Sequence, residues 1–230
     1  MKDIPHYYHD LSPEYDHQRA NRYFRMIEDI EYGILQQYIA LIHEPAVLEV
    51  GCGTGIFLTR IRSRVASLHG LDRTRAMLDI AQQKMARSQV MLVHGDAIAL
   101  PYRDSSFDLI YSYKVLAHVP HLERALAEIR RLLRPQGVAI LEFYNSHSIR
   151  RLAYRGGYFH QWHTPAEIHR LVEASGLQIE RVCGARIVTP FAQAVEVPLI
   201  RMLLTKLERA LSTSFLNRFA GYYIVACRLK

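Results

Sequence analysis

Hydrophobic positions along the chain follow two rhythms. In DHQRANRYFRMIEDIEYGILQQYIALI, Tyr23, Ile27, Ile30, Ile34, Tyr38 and Leu41 recur every three or four residues, which predicts a helix. The pattern then breaks into short apolar runs. AVLEV, SLHGLD, VMLVHGD, FDLIYSY and VAILEFY read as strands, and helices fall between them. One of these helices is IFLTRIRSRV; a second follows Thr74, a candidate cap, and carries Met77, Leu78, Ala81 and Met85 on one face. The third is HLERALAEIRRLLR, with an apolar stripe of Leu122, Leu126, Ile129 and Leu133, and PQG should stop it before the fifth strand. Strands alternating with helices imply an α/β fold, a doubly wound parallel sheet with helices on both faces. Its ligand crevice belongs at the carboxyl ends of the strands.

After residue 146 the rhythm loosens through SHSIRRLAYRGGYFHQWH. It resumes with a helix in TPAEIHRLVEASG, a strand in LQIERVCG, a long helix in PLIRMLLTKLERALS, and a closing strand, YYIVACRL, apolar enough to be internal to a sheet. In the long helix Ile200, Leu203, Leu204, Leu207 and Leu211 form one stripe beside Arg201, Lys206 and Arg209. Membrane-surface helices share that pattern with helices packed on a neighbour. Packing, within the chain or across a homodimer, is the expectation.

At 230 residues the chain suits one large domain with appendages. No apolar run approaches the roughly 18 residues of a membrane span. The opening MKDIPHYYHDLSPEYD has no apolar stretch of the secretory type, so a cytoplasmic protein is expected. Cys52, Cys183 and Cys227 are far apart, which fits free thiols better than a disulfide framework or a zinc site. The formal charge of +7 is uneven: Lys+Arg against Asp+Glu runs 4 to 8 over residues 1–45, 13 to 9 over 46–145, and 12 to 5 over 146–230. A basic last third could attract nucleic acid, an anionic membrane or an acidic small molecule, but no run of five or six basic residues occurs, and solvated arginines explain it more simply.

The densest signal is EVGCGTG, Glu49 to Gly55, directly after an apolar strand. Glycines there permit positive φ and let a ligand lie against bare backbone, and a strand, a glycine turn and a helix start suit a nucleotide or nucleoside. The dinucleotide fingerprint G-x-G-x-x-G is not completed, because Ile56 stands where the third glycine belongs, and this argues against NAD.

The succession as a whole resembles the class I S-adenosylmethionine-dependent methyltransferases, particularly the branch with the ubiquinone/menaquinone and sterol methyltransferases. VLEVGCGTG is similar to that family's first motif and GLDRTRAML to its second. VHGDAIALPYRDSSFDLIYSYKVLAHV resembles the third and fourth, and EIRRLLRPQGVAILEFY the segment around the fifth strand. The resemblance covers roughly residues 45–145 closely and implies a Rossmann-like, seven-stranded, mostly parallel sheet with an antiparallel last strand. It also implies an N-terminal helical lid, giving a cap over residues 1–44 and a methyltransferase domain over 45–230 with a substrate-covering insert around 146–164.

The same resemblance assigns the cofactor site, for S-adenosyl-L-methionine and its product S-adenosyl-L-homocysteine. Gly51, Cys52, Gly53 and Gly55 would let the methionine part pass over the turn, with Glu49 beneath it. Asp72 would accept from the ribose hydroxyls, as suits an acceptor-only carboxylate facing a diol. Asp96 and the Ala97 amide would read adenine, Arg73 and Met77 would flank its ring, and Tyr113 would lie beside the sulfonium. From the N-terminal segment, Tyr15 or Arg19 would meet the cofactor's carboxylate. Glu49 or Asp96 as turn caps and Met77 as core are the plainer alternatives.

An activated methyl needs chiefly alignment and exclusion of water, so no nucleophilic residue is required. An acceptor hydroxyl or acidic carbon still has to lose a proton, and His118, in YKVLAHV at the crevice lip, is the first candidate base, ahead of Lys114. His160 and His163, with Trp162 in YFHQWH, are further candidates from the insert. No (Asp/Asn)-Pro-Pro-aromatic sequence follows the fourth strand, which argues against methylation of nucleic-acid base amines, and no metal is expected. The reading is methyl transfer to oxygen or carbon, with nitrogen open, of a small-molecule acceptor that an anionic group would suit. An RNA-modifying methyltransferase and a non-catalytic cofactor-binding scaffold are the rivals.

Overall fold

The computed structural model describes residues 3–153, 159–188 and 198–230. Residues 154–158, in the loosened stretch, and the side chains of Tyr23 and Arg201 lie outside the described residues.

Seven strands form one sheet in the order β3-β2-β1-β4-β5-β7-β6. They are β1 (Ala46–Val50), β2 (Ser67–Asp72), β3 (Val90–His94), β4 (Phe107–Ser112), β5 (Leu133–Tyr144), β6 (Leu177–Ala185) and β7 (Tyr222–Leu229). β1 pairs in parallel with both β2 and β4, while β7 runs antiparallel between β5 and β6. This is the mostly parallel, seven-stranded arrangement expected from the sequence. The strand order reverses between β1 and β4, which sets the crevice above their carboxyl ends.

Among the described residues the helices are α1 (Ile4–Arg19), α2 (Arg22–Ile39), α3 (Ile56–Ile61), α4 (Arg75–Met85), α5 (Leu122–Leu132), α6 (Ile149–Ala153), α7 (Pro165–Ala174) and α8 (Pro198–Ser212). Successive strand residues serve opposite faces, and both faces are filled. Val47, Leu109 and Ile140 join a core with Ile27, Ile34 and Leu35 of α2 and Leu58 of α3. Leu48, Ile110 and Leu141 join a second core with Leu126 and Ile129 of α5 and Ile168 of α7. That double burial explains why the strands read as continuous apolar runs.

Four local expectations need correction. The single N-terminal helix is two: the chain breaks at Ala20 and Asn21, and Asn21 Oδ1 accepts the Phe24 amide to start α2. α2 ends at Ile39, so Leu41 leaves the apolar stripe and stands exposed. PQG does not separate α5 from β5; Leu133 already pairs with Phe107, and residues 134–137 bulge out before pairing resumes at Leu109↔Val138. In α8, Ile200, Leu203 and Leu207 are exposed, so of the packing expected within the chain or across a homodimer the first does not hold for them.

Candidate functional site

The turn from β1 into α3 is built on positive φ at Gly51 and Gly53, 80° and 52°. Their neighbours differ. A Cβ at Gly51 would fall 2.1 Å from Val115 Cγ2, so that glycine makes room for protein. A Cβ at Gly53 would meet nothing within 4 Å, so that position faces open space. Across the crevice Asp72, ending β2, holds the turn: its Oδ2 accepts the Gly53 amide and its Oδ1 the Thr74 amide, both at 2.8 Å. Burial raises the Asp72 carboxyl, against the lowering effect of those amides.

Above the turn lies a cavity of about 340 Å³, within the roughly 300–1,000 Å³ typical of small-molecule sites. Tyr15, Gly51, Gly53, Asp72, Arg73, Met77, Asp96, Ala97, Tyr113 and His118 all line it. At the end assigned to adenine, Arg73 Nε stands 3.5 Å from Asp96 Oδ2, while Asp96 Oδ1 accepts the Ile98 amide at 3.2 Å. A smaller chamber shares Tyr15, Gly51, Gly53, Tyr113 and Lys114 with it and adds Arg19, Glu49 and Cys52. Gly55, His160 and His163 line neither chamber.

Glu49 is buried beneath the turn and accepts the Tyr111 hydroxyl at 2.8 Å. Burial, reinforced by the charge of Asp72 and opposed by the Tyr111 hydrogen bond, pushes its carboxyl up to about 8, so it is largely protonated at neutral pH. Arg19 lines the smaller chamber while its Nε and Nη2 both reach Glu28 Oε1 at 3.1 Å. Tyr113 donates its hydroxyl to the Glu31 carbonyl at 3.0 Å, and Cys52 is a buried thiol raised well above its usual range by burial.

His118 closes the 3₁₀ turn Leu116–His118 at the lip of the cavity. Its Nδ1 lies 3.1 Å from the Phe159 carbonyl, a contact that fits the tautomer with Nδ1–H donating. Burial holds the ring down to about 4, despite that carbonyl, so it is neutral at pH 7. His160 stacks edge-on against it, centroids 5.6 Å apart. His163 is used in the backbone: it bridges to Asn145, and its Nε2 is 3.1 Å from Gln161 Oε1.

Two sets of contacts beside the chambers have no signature in the sequence, although Lys114 itself is a candidate there. Lys114, whose amide donates to Glu142 Oε1 at 3.1 Å, also pairs through Nζ with buried Glu31. Thr54, in the glycine turn, donates to Asp16 Oδ1 of α1 at 2.6 Å, and Lys84 of α4 pairs with the same carboxylate while donating to the Thr54 carbonyl at 2.9 Å. This clamp ties α1 to the turn, and α1 in turn supplies Ile4, Pro5, Tyr8 and Tyr15 to the cavity wall.

The residues present fit S-adenosylmethionine. An open face at Gly53, a carboxylate at the end of β2, and the apolar slot of Met77, Ala97 and Ile98 beside Asp96 are what a ribose and a purine require.

Residues 48–141 match the methyltransferase domain family. Over 97 residues the chain is 38% identical to a demethylmenaquinone methyltransferase of Staphylococcus aureus; the match spans 40% of this chain and 40% of that protein. Among solved structures, the CcbJ methyltransferase from Streptomyces caelestis superposes with a TM-score of 0.70 at 17% identity, covering 96% of this chain and 97% of that one. The cyclase SpnF superposes with a TM-score of 0.65 at 20% identity, covering 87% and 81%. At such identities the superpositions establish the fold alone, and a cyclase among them underlines that the reaction must be read from the site. The domain match over residues 48–141, the glycine turn and the sheet order agree: this part of the chain is similar to the methyltransferase domain family, and the match spans about 40% of the length of the demethylmenaquinone methyltransferase it resembles.

Proposed function

We propose that the chain transfers a methyl group from S-adenosylmethionine to carbon or oxygen of a small, largely apolar acceptor of quinone type. One observation carries this reading: a single cavity joins the Gly53–Asp72 turn to His118, so a cofactor seat and a candidate proton acceptor share one enclosed space. The relative's acceptor, as its name gives it, is a demethylmenaquinone. Ile4, Pro5, Val115, Val119 and Pro120 give this cavity an apolar wall that suits such a ring. Its cations are engaged, Arg73 by Asp96 and Lys114 by Glu31, which argues for a neutral acceptor over an anionic one.

When bound, the cofactor supplies an activated methyl on a positive sulfur. The chain's own residues then position and enclose. Asp72 and Asp96 orient the nucleoside, and α1 covers the cavity through Tyr8 and Tyr15, keeping water out. His118, neutral and oriented by the Phe159 carbonyl, accepts a hydrogen bond or a proton from the acceptor. A ring held to about 4 is a weak base, so its assistance belongs at the low end of general base catalysis. The test is methyl transfer from labelled S-adenosylmethionine to a panel of hydroquinones and phenols, with bulk RNA in parallel. Label in the quinol or phenol products supports the reading; label in RNA alone contradicts it.

A further inference from the structure

α8 carries its polarity the wrong way round. Surface helices turn an apolar stripe inward and charges outward. Here Glu208 is fully buried and Ser212 nearly so, while Leu199, Ile200, Met202, Leu203 and Leu207 are 62%, 44%, 48%, 54% and 46% exposed. The rotation is fixed. Glu208 accepts the Ile187 amide at 2.8 Å through Oε1 and the Val188 amide at 2.6 Å through Oε2, just beyond β6. From the same inward side, Thr205 contacts Met26 of α2 at 3.0 Å. Turning the leucines inward would strip two amides of their carboxylate partner. The next turn, Phe215–Phe219, adds two protruding rings, Phe215 at 74% and Phe219 at 44%, and the Arg218 guanidinium lies 6.0 and 4.9 Å from their centroids.

The charge on this face selects its occupant. Glu208 is the one acidic residue in the sequence from 198 to 230, and it points inward, whereas Lys206, Arg209 and Arg218 are exposed. A second copy packed about a two-fold axis would set these cations against their own equivalents, and Asp29 of α2, the exposed carboxylate that shares a groove with Arg209, is already held by Arg60. A bilayer with anionic headgroups satisfies both halves of the pattern, since phosphates meet the cations while the leucines and phenylalanines enter the acyl boundary. We propose that α8 and the turn after it form a docking surface for an anionic lipid membrane. The inference stands on this face alone and does not depend on the methyl acceptor.

The experiment is flotation of the full chain with vesicles of phosphatidylcholine, with and without about 30% phosphatidylglycerol, at low and high salt. Association with the anionic vesicles is expected to exceed that with the zwitterionic ones by about tenfold and to weaken in salt. The double variant Leu203→Gln/Leu207→Gln is expected to lose about tenfold in association while melting as the wild type does, because both side chains are already exposed. Equal association with both vesicle types, or none, overturns the proposal. So does a dimer in sedimentation that this double variant dissociates, since the face would then belong to a second copy.

Discussion

The Gly53 amide donates to Asp72 at 2.8 Å, joining the carboxyl ends of the adjacent strands β1 and β2, so one carboxylate both shapes the glycine turn and faces the cavity above it. Asp72→Ala is therefore expected to weaken S-adenosylhomocysteine binding by roughly 10- to 150-fold, about 1.5–3 kcal/mol, the range for hydrogen bonds to a charged group. Calorimetry on the folded variant checks it. Unchanged affinity would mean that the ribose is held elsewhere.

Gly51 and Gly53 are expected to fail differently. Gly51→Ala drives a methyl into Val115 and should lower the melting temperature clearly, with partial recovery in Gly51→Ala/Val115→Ala. Gly53→Ala meets no protein atom, so its stability cost should be limited to the strain of positive φ, about 1 kcal/mol, while cofactor affinity collapses. Melting curves and binding on the three variants separate the roles, and equal loss of affinity at equal stability would refute the distinction.

Asp16 clamps α1 to Thr54 and Lys84. Its replacement by Ala should free the helix that covers the cavity, speeding cofactor release several-fold while leaving the melting temperature within a few degrees, as befits a partly exposed ion pair. Stopped-flow dissociation of S-adenosylhomocysteine reads this directly. A release rate identical to the wild type would show that α1 does not gate the site.

For His118 the sign of the pH effect follows from burial. Below about pH 6.5 the unfolded chain takes up a proton on this ring, whereas the folded one does so only near 4, so stability should fall on acidification through that window, by up to about 3 kcal/mol. Glu49, raised to about 8, acts oppositely as a proton bound in the fold, gaining stability as pH falls from 8 towards 4.5. Comparing denaturation of the wild type with His118→Gln isolates the histidine's share. The variant should lose less stability between pH 6.5 and 4.5, and parallel curves would contradict a neutral buried ring. Turnover of His118→Ala, normalised to folded protein, should drop about 10²-fold, with no inflection near pH 6.5 to lose.

The sheet was legible because its strands are buried on both faces and so stand out as apolar runs between amphipathic helices, as Val47 with Leu48 and Ile110 with Leu109 illustrate. That Gly51, Gly53, Asp72 and Asp96 would share a cavity wall was legible too, since a glycine turn and the aspartates at or just beyond the strand ends are local features. What could not be read are contacts between distant segments: Asp16 with Thr54, or Lys114 with Glu31, which only the tertiary fold brings together. The α8 stripe misled for the same reason. Periodicity says that a helix has an apolar face, but the buried Glu208 decides which way that face turns.

This cavity is expected to bind an adenosylated sulfur compound and not a dinucleotide, which titration of the full chain with S-adenosylhomocysteine and, separately, with NAD, each followed calorimetrically, decides. The expected result is saturable one-to-one binding of S-adenosylhomocysteine that Asp72→Ala weakens, and no measurable heat with NAD. Saturable NAD binding without any response to S-adenosylhomocysteine would contradict the account.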